Sequence, residues 1–191
     1  SMERDGYEAD LKRLFVQDLK TGQKTFLTDG FEYDVDELQW AANSQSLFFL
    51  STKHAEAQLW EIALKGRKIR QITTGMHDYT SLDVQGGKIL AGRQSYIEPT
   101  DLYLVDVKTG AAKQLTAENK STLDALAPIS VEKRWVKTTD GGNMLVWVVL
   151  PPNFDKTKKY PALLFCQGGP QSPVSQFFSY RWNMRLMAEQ G

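Results

Sequence analysis

Two adjacent glycines, Gly168 and Gly169, follow an apolar run of six residues that ends at Cys166. Glycine has no Cβ, so the backbone of such a loop can come close to a bound group and present its N–H donors. Acyl transfer passes through a tetrahedral oxyanion, which needs preorganised donors of this kind. The loop is therefore a candidate site for holding an oxyanion.

Few other residues could attack a substrate or move a proton. The chain has two histidines, His54 and His77, and neither has the spacing to a nucleophile and an acid that a catalytic triad requires. The neighbouring His77 and Asp78 lack the further ligands of a metal site. Cys166 has no nearby His, so we predict a small buried apolar side chain. No serine lies in a Gly-x-Ser-x-Gly elbow.

The elements before the loop repeat along the chain. Three similar segments occur, and each is followed by a short strand that ends in an aliphatic–Thr pair, namely Leu27-Thr28, Ile72-Thr73 and Leu115-Thr116. These landmarks recur after 45 and 43 residues. A period of about 40–45 residues with four short strands per unit is typical of a β-propeller blade. Lys-Thr-Gly and Lys-Gly between the last two strands of each unit predict hairpin tips.

Two complete blades fit into this period, preceded by the latter half of another. Propellers close with about four to eight blades, so the chain is expected to hold only part of one. Several aromatic residues lie at strand positions and are predicted to pack between blades: Trp40, Phe48, Phe49, Trp60 and Tyr103. The fold class predicted here is mostly β.

The sequence pattern changes class near residue 127. Residues 131–138 alternate in polarity, and residues 144–150 form a long apolar strand that ends at two prolines. Residues 161–166 have the continuous apolar pattern of a strand buried on both faces of an α/β sheet. Residues 176–190 have helical spacing, with Gly191 where a C-terminal cap glycine is expected.

Four features of this second part carry a resemblance to a known family: the turn at Asp140-Gly141, the strand ending in Pro151-Pro152, the entry Lys159-Tyr160-Pro161 and the loop Gly168-Gly169-Pro170. Together they resemble the start of the catalytic domain in the prolyl oligopeptidase family of serine peptidases. The branch is that of the dipeptidyl and acylaminoacyl peptidases. The resemblance implies C-terminal propeller blades over residues 1–126 and the first strands and helix of an α/β-hydrolase domain over residues 127–191.

The resemblance also implies roles for the loop. The backbone N–H of Gly168 or Gly169 is expected to hold the oxyanion. Other branches have His or Tyr where Gln167 stands, and the Tyr hydroxyl serves as a donor there. Gln167 offers only an amide, which favours the backbone donor. The Ser, Asp and His of the triad are expected beyond Gly191, so these 191 residues alone are predicted to be inactive.

The implied function is that of a serine exopeptidase acting near the N-terminus of short peptides, with an oligopeptide as partner and no cofactor or metal. Family members bind the substrate amine with acidic propeller side chains. Glu8 and Glu98 are candidates for that role, although each also fits an ordinary exposed loop acid. A second interpretation stays open, a non-catalytic propeller-type module for protein interaction. It explains the repeats but not the Gly-Gly-Pro loop.

Composition excludes other classes. Lys and Arg number 23, as do Asp and Glu, and a nucleic-acid partner usually requires a basic excess. No apolar run approaches the roughly 18 residues of a membrane span. Open blade edges predict self-association, and the family resemblance leans towards an extracytoplasmic bacterial protein.

Overall fold

The structure is a computed structural model that describes residues 2–4, 6–166, 168 and 172–190. The strands of this part of the chain are β1 (Phe15–Gln17), β2 (Lys24–Phe26), β3 (Asp36–Trp40), β4 (Ser46–Lys53), β5 (Glu56–Ala63), β6 (Ile69–Gln71), β7 (Asp78–Tyr79), β8 (Asp83–Gln85), β9 (Lys88–Ser95), β10 (Glu98–Asp106), β11 (Ala112–Gln114), β12 (Ser130–Lys137) and β13 (Asn143–Leu150). The helices are a 3₁₀ turn (Lys65–Arg67), α1 (Lys120–Asp124) and α2 (Met184–Ala188).

Three antiparallel sheets follow one another as blades. Strands β1 and β2 pair as a half blade. The first complete blade has the order β3-β4-β5-β6. In the second complete blade, β7 and β8 both pair with β9, which is followed by β10 and β11. The mostly β fold with a partial propeller of two and a half blades confirms the prediction from the repeats.

The second strand of the first complete blade is buried on both faces. Its apolar run alternates between two clusters: Leu47 and Phe49 pack towards the half blade, while Phe48 and Leu50 pack towards the second complete blade. Phe49 has no exposed surface at all. Full burial of a side chain of this size contributes about 1.5–3 kcal/mol to the free energy of unfolding. Because its side chains enter both clusters, β4 connects its own blade to the blades on either side through apolar contact. That double burial explains why the run shows no polar alternation.

The prediction of inter-blade aromatic residues holds except at Trp40. Phe48, Phe49, Trp60 and Tyr103 are buried, whereas Trp40 is 46% exposed. The reason is the two-residue period of β3. The half-buried position is Gln39, whose amide donates to Asp83 Oδ1 at 2.9 Å and whose carbonyl oxygen accepts the N–H of Val84. Trp40 therefore points to the opposite, solvent-facing side of the strand.

The aliphatic–Thr pairs that mark the repeat have a shared structural cause. In every unit the Thr hydroxyl accepts the backbone N–H of the Leu that lies 14 residues earlier, at 2.9–3.0 Å: Thr28 from Leu14, Thr73 from Leu59 and Thr116 from Leu102. The aliphatic residue before each Thr donates its own N–H to the carbonyl of the same Leu. The Thr side chain thus adds one hydrogen bond to each pairing of third and fourth strands.

The hairpin tips also match their prediction. Asp18 Oδ1 accepts the N–H groups of Lys20 and Thr21, and Asp106 Oδ1 accepts the two equivalent groups in the last blade. Gly22 and Gly110 close these turns with φ of +75° and +73°, a conformation that costs an L-residue free energy.

The strand predicted over residues 161–166 is absent, and this expectation is wrong. Leu163 and Leu164 are 75% and 80% exposed, and Cys166 is exposed rather than buried. A doubly buried strand forms only between neighbouring strands. In the described part of the chain, the second region supplies one antiparallel hairpin, β12 paired with β13 from Ser130 to Leu150, and neither strand pairs with these residues.

The predicted helix over residues 176–190 is much shorter than expected. Only Met184–Ala188 is helical, because side chains compete for backbone groups at its start. Asn183 Oδ1 accepts the N–H of Leu186, which fixes the N-terminus of α2, and Ser179 Oγ accepts the N–H of Trp182 in a separate turn. Gly191 lies outside the described residues. Helix α1 was not expected from the sequence.

Replacing the repeat threonines tests the shared hydrogen bond. Thr73→Val should lower the free energy of unfolding by about 1–3 kcal/mol, because the N–H of Leu59 is fully buried and would lose its added partner. Thr116→Val should cost less than about 1 kcal/mol, because its bond is exposed and water replaces it. Urea unfolding of both variants measures the difference. Equal losses would contradict this account.

Candidate active site

The predicted oxyanion loop is described at one position. Gly168 lies in an exposed bend, and a Cβ added there would meet nothing within 4 Å. Gln167 and Gly169 lie outside the described residues. The roles assigned to these three residues therefore stay predictions.

The chain just after this loop is held against β13. We call residues 172–177 the docking segment. The indole N–H of Trp147 on β13 donates to the carbonyl oxygen of Val174 at 3.0 Å. Lys133 lies opposite Trp147 on β12, and its Nζ is 5.4 Å from the centre of the indole ring. The hairpin thus orients the docking segment through one aromatic side chain.

A buried carboxylate joins the two complete blades. Asp78 begins β7 and is 3% exposed. Its Oδ1 accepts the N–H of Ala57 on the preceding blade at 2.8 Å. Burial raises the pKa of Asp78, and donor groups of Ala57, Ser175 and Gln176 oppose the rise. The side chain of Asp78 therefore connects its own blade to the preceding one.

Tyr96, in the turn between β9 and β10, adds a second connection. Its backbone N–H donates to Gln176 Oε1 at 3.3 Å, and both residues are almost fully buried. The ring of Tyr96 packs edge-on against Trp147 and tilted against Phe177, with centroid distances of 6.2 Å and 6.1 Å. Burial raises the pKa of the Tyr96 phenol, and the nearby charge of Asp78 adds to the rise.

The first complete blade contacts the hairpin through the equivalent turn. Glu56, where β5 begins after β4, lies 3.1 Å from Lys133 in an ion pair whose side chains are 18% and 23% exposed. His54 in the same turn packs edge-on against Trp135 at 5.5 Å. Both complete blades therefore present the turn between their second and third strands to the β12–β13 part of the chain.

Comparison with known proteins bears on this arrangement. No family model matches the sequence. The chain is 64% identical, over all of its 191 residues, to dipeptidyl-peptidase 5 of Porphyromonas gingivalis. The chain is thus similar, along its whole length, to part of a dipeptidyl peptidase. The resemblance seen in the loop and its flanking strands is thereby confirmed, in the branch of dipeptidyl and acylaminoacyl peptidases.

More distant relatives also match along all or nearly all of the chain. Dipeptidyl-peptidase 5 of Schizosaccharomyces pombe is 25% identical along the whole chain. An acylaminoacyl peptidase of Pyrococcus horikoshii superposes with a TM-score of 0.79 over 98% of this chain at 22% identity. Dipeptidyl peptidase 4 of P. gingivalis has a TM-score of 0.69 over 94%. At this identity the solved structures show the fold.

The chain spans 28% of the length of the dipeptidyl-peptidase 5 relatives from P. gingivalis and S. pombe. It also spans 28% of the P. horikoshii enzyme. The matched part includes the propeller repeats as well as the hairpin and loop that follow them.

The two acidic candidates for amine binding lie in different settings. Glu98 begins β10, two residues after Tyr96, and borders a cavity of about 380 Å³ together with Asp124 and Arg185. Arg185 is itself buried, pairs with Glu189 at 3.0 Å and donates to the Ala127 carbonyl oxygen. Glu8 is exposed in the segment before β1. Glu98 thus follows, by two residues, the Tyr96 that contacts the docking segment.

Other classes of site find no geometric support in the part of the chain that the structure describes. There, no three His, Cys, Asp or Glu side chains are grouped so as to hold a metal ion. Neither α helix in that part has the length or the apolar run needed to cross a membrane.

Sequence reasoning missed Asp78, Tyr96 and Gln176. A signal for Asp78 exists in the repeat: Asp34 lies 44 residues earlier and accepts the N–H of Lys12 at 2.7 Å, as Asp78 accepts that of Ala57. An Asp near the start of each complete blade thus accepts a backbone N–H of the preceding blade, from Lys12 just before β1 and from Ala57 on β5. The contacts of Tyr96 and Gln176 join residues 80 apart and have no local signature.

His77 gives a pH dependence that can be measured. Burial lowers its pKa to about 4, and the charge of Arg93 adds to this. The unfolded chain binds a proton here near pH 6.5, so this contribution to stability is complete above about pH 6.5 and is lost as the pH falls towards 4. Because the ring is only half-buried, we expect a loss of about 1–2 kcal/mol.

Urea unfolding at about pH 7.5 and about pH 4.5 should show this loss in the unmodified chain and a smaller loss in His77→Gln. The pKa of Asp78 is raised, so Asp78 changes the pH dependence of stability in the opposite direction. Asp78 is present in both proteins, so its effect cancels when they are compared. Identical pH dependence of the two proteins would show that His77 is not the group responsible.

Proposed function

We propose that this chain is part of a serine dipeptidyl aminopeptidase of the prolyl oligopeptidase family, which removes dipeptides from the N-terminus of short peptides. Residues 1–126 would form the C-terminal blades of its propeller, and residues 127–191 the start of its α/β-hydrolase domain. The observation that carries the proposal is the 64% identity to dipeptidyl-peptidase 5 of P. gingivalis over the entire chain.

In this proposal the chain contributes binding and electrostatic stabilisation rather than the nucleophile. A Ser outside the chain attacks the peptide carbonyl, a His outside the chain takes its proton, and the tetrahedral oxyanion accepts the N–H of Gly168 or Gly169. Gln167 can add a side-chain amide. The propeller restricts entry to short oligopeptides, and its acid Glu98 is a candidate partner for the substrate amine.

The second candidate is a non-catalytic module for protein interaction. The repeats favour it. The region aligned with the relative, which is 64% identical as a whole, includes the β12–β13 hairpin and the Gly-Gly-Pro loop, and a module of blades alone does not need these. For this reason we favour the peptidase.

The product of the complete reading frame tests the choice. It should hydrolyse dipeptidyl p-nitroanilides with a free N-terminus, and acetylation of that terminus should abolish turnover if the enzyme is a dipeptidyl peptidase. The 191-residue chain alone should show no turnover. Preference for the acetylated substrate would instead identify an acylaminoacyl peptidase, and inactivity on both would favour the interaction module.

The oxyanion role is tested at Gly168 by two substitutions in the same active protein. Gly168→Pro removes the N–H and should lower kcat by about 10²–10³-fold if Gly168 is the donor. Gly168→Ala keeps the N–H, and its Cβ has free space, so kcat should stay within a few-fold. If Gly168→Pro is harmless and Gly169→Pro is not, the donor is Gly169. Full activity of both proline variants would contradict the proposed loop.

A further inference from the structure

We propose that the propeller part of this chain binds the anionic surface of a lipid bilayer, through a row of unpaired cations on the side remote from the β12–β13 hairpin. The row lies at or beside the hairpin tips between third and fourth strands. We call it the basic rim, and it consists of Lys20, Lys65, Arg67, Lys68, Lys108 and Lys113. The inference does not depend on the proposed peptidase function.

The pairing of charges separates the basic rim from the rest of the propeller part. Residues 1–126 contain fifteen Lys and Arg side chains. Of the nine outside the rim, six pair with a carboxylate, as Lys88 does with Asp106 at 2.6 Å, and three lie over an aromatic ring, as Arg93 does over Tyr103. The six rim cations are all exposed, and none has either kind of partner in the part of the chain that the structure describes.

The acidic residues at the tips do not neutralise this charge. The three tip segments are residues 18–24, 64–70 and 106–113. They contain two acidic residues, Asp18 and Asp106. Asp18 Oδ1 accepts two N–H groups of its own turn, and Asp106 pairs with Lys88. The chain as a whole has equal numbers of basic and acidic residues, so the rim results from a segregation of charge and attracts anions.

Contacts between the blades place the tips side by side. Arg70, at the end of the second tip segment, donates from Nη2 to the carbonyl oxygen of Val107, beside Lys108, at 3.0 Å. Leu64, at the start of the same segment, packs against the apolar cluster between the half blade and the first complete blade. The cations of the three blades therefore follow one another along one side of the propeller.

The basic rim lies far from the part of the chain that follows the blades. Strand β5 begins at Glu56, which pairs with Lys133 of the hairpin, and ends at Ala63, next to a tip. A strand rises about 3.3 Å per residue, so its length places the tip about 25 Å from that ion pair. The rim and the hairpin therefore occupy opposite ends of the blades.

The residue types favour a lipid surface over a nucleic acid. The tip segments contain no aromatic residue, whereas proteins that bind single strands stack bases on aromatic side chains. All rim cations but Arg67 are lysines, whose compact point charge suits a diffuse layer of headgroups better than the paired acceptors of a base. Leu19, beside Lys20, is 95% exposed and can enter the headgroup layer.

The first experiment measures binding of the product of the complete reading frame to lipid vesicles by flotation. We expect binding to vesicles of phosphatidylglycerol and phosphatidylcholine in equal amounts, and binding at least about tenfold weaker to phosphatidylcholine alone. Salt at about 1 M should release the protein, because it screens exposed charges. Absence of binding to the mixed vesicles, or equal binding to both kinds, would overturn the inference.

A triple variant locates the binding surface. The rim variant combines Lys65→Gln, Arg67→Gln and Lys68→Gln. It should bind the mixed vesicles about 100-fold more weakly, because each cation near an anionic surface contributes about fivefold. The control variant removes the same charge from an exposed loop outside the rim and combines Lys156→Gln, Lys158→Gln and Lys159→Gln. Its affinity should stay within about threefold of the unmodified protein, and a loss equal to that of the rim variant would refute the role of the rim.

Two further measurements keep the test decisive. If the rim variant does not fold, Lys108→Gln combined with Lys113→Gln should still weaken vesicle binding by about tenfold or more, and unchanged binding would contradict the proposal. A DNA duplex examines the other class of anionic partner. Binding of the unmodified protein to the duplex but not to the mixed vesicles would exclude the membrane assignment. Vesicle binding is measured without substrate, so a protein that lacks peptidase activity leaves this test intact.

Discussion

The face of each blade in this protein becomes buried only when another blade packs against it. The first complete blade has neighbours on both sides, so all four residues of the run from Leu47 to Leu50 are buried, in two clusters that share no residue. In the described part of the chain the second complete blade has the first complete blade beside it, and Leu90 and Leu102 on its other face are 37% and 41% exposed. The burial of a blade face therefore depends on the neighbouring blade that packs against it.

The same dependence extends to the part of the chain that follows the blades. The β12–β13 hairpin meets the propeller through polar and aromatic groups in two equivalent turns. An ion pair between Glu56 and Lys133 comes from one blade, and the ring of Tyr96 comes from the other. Asp78 adds a bond between the two complete blades, because its Oδ1 accepts the N–H of Ala57.

Features of the fold that depend on local interactions could be predicted from sequence. The repeat was predictable because each of its marker residues acts inside its own blade. Thr73 accepts a hydrogen bond from a residue 14 positions earlier, and Gly110 closes a tight turn. Predictions failed where a distant partner decides the outcome. The apolar residues 161–166 have strand composition but no strand beside them in the described chain. Trp40 is exposed because Gln39 takes the inward position, and only the bond between Gln39 and the next blade shows this.

The outermost strands β2, β6 and β11 have three residues each. Such a strand offers another chain very few free N–H and C=O groups to pair with, and short edge strands are a recognised protection against edge-to-edge aggregation. The Thr hydroxyl that follows each of these strands supplies one further bond to the third strand from a side chain. The outer edge of each unit is thus held to its neighbouring strand without further backbone pairing.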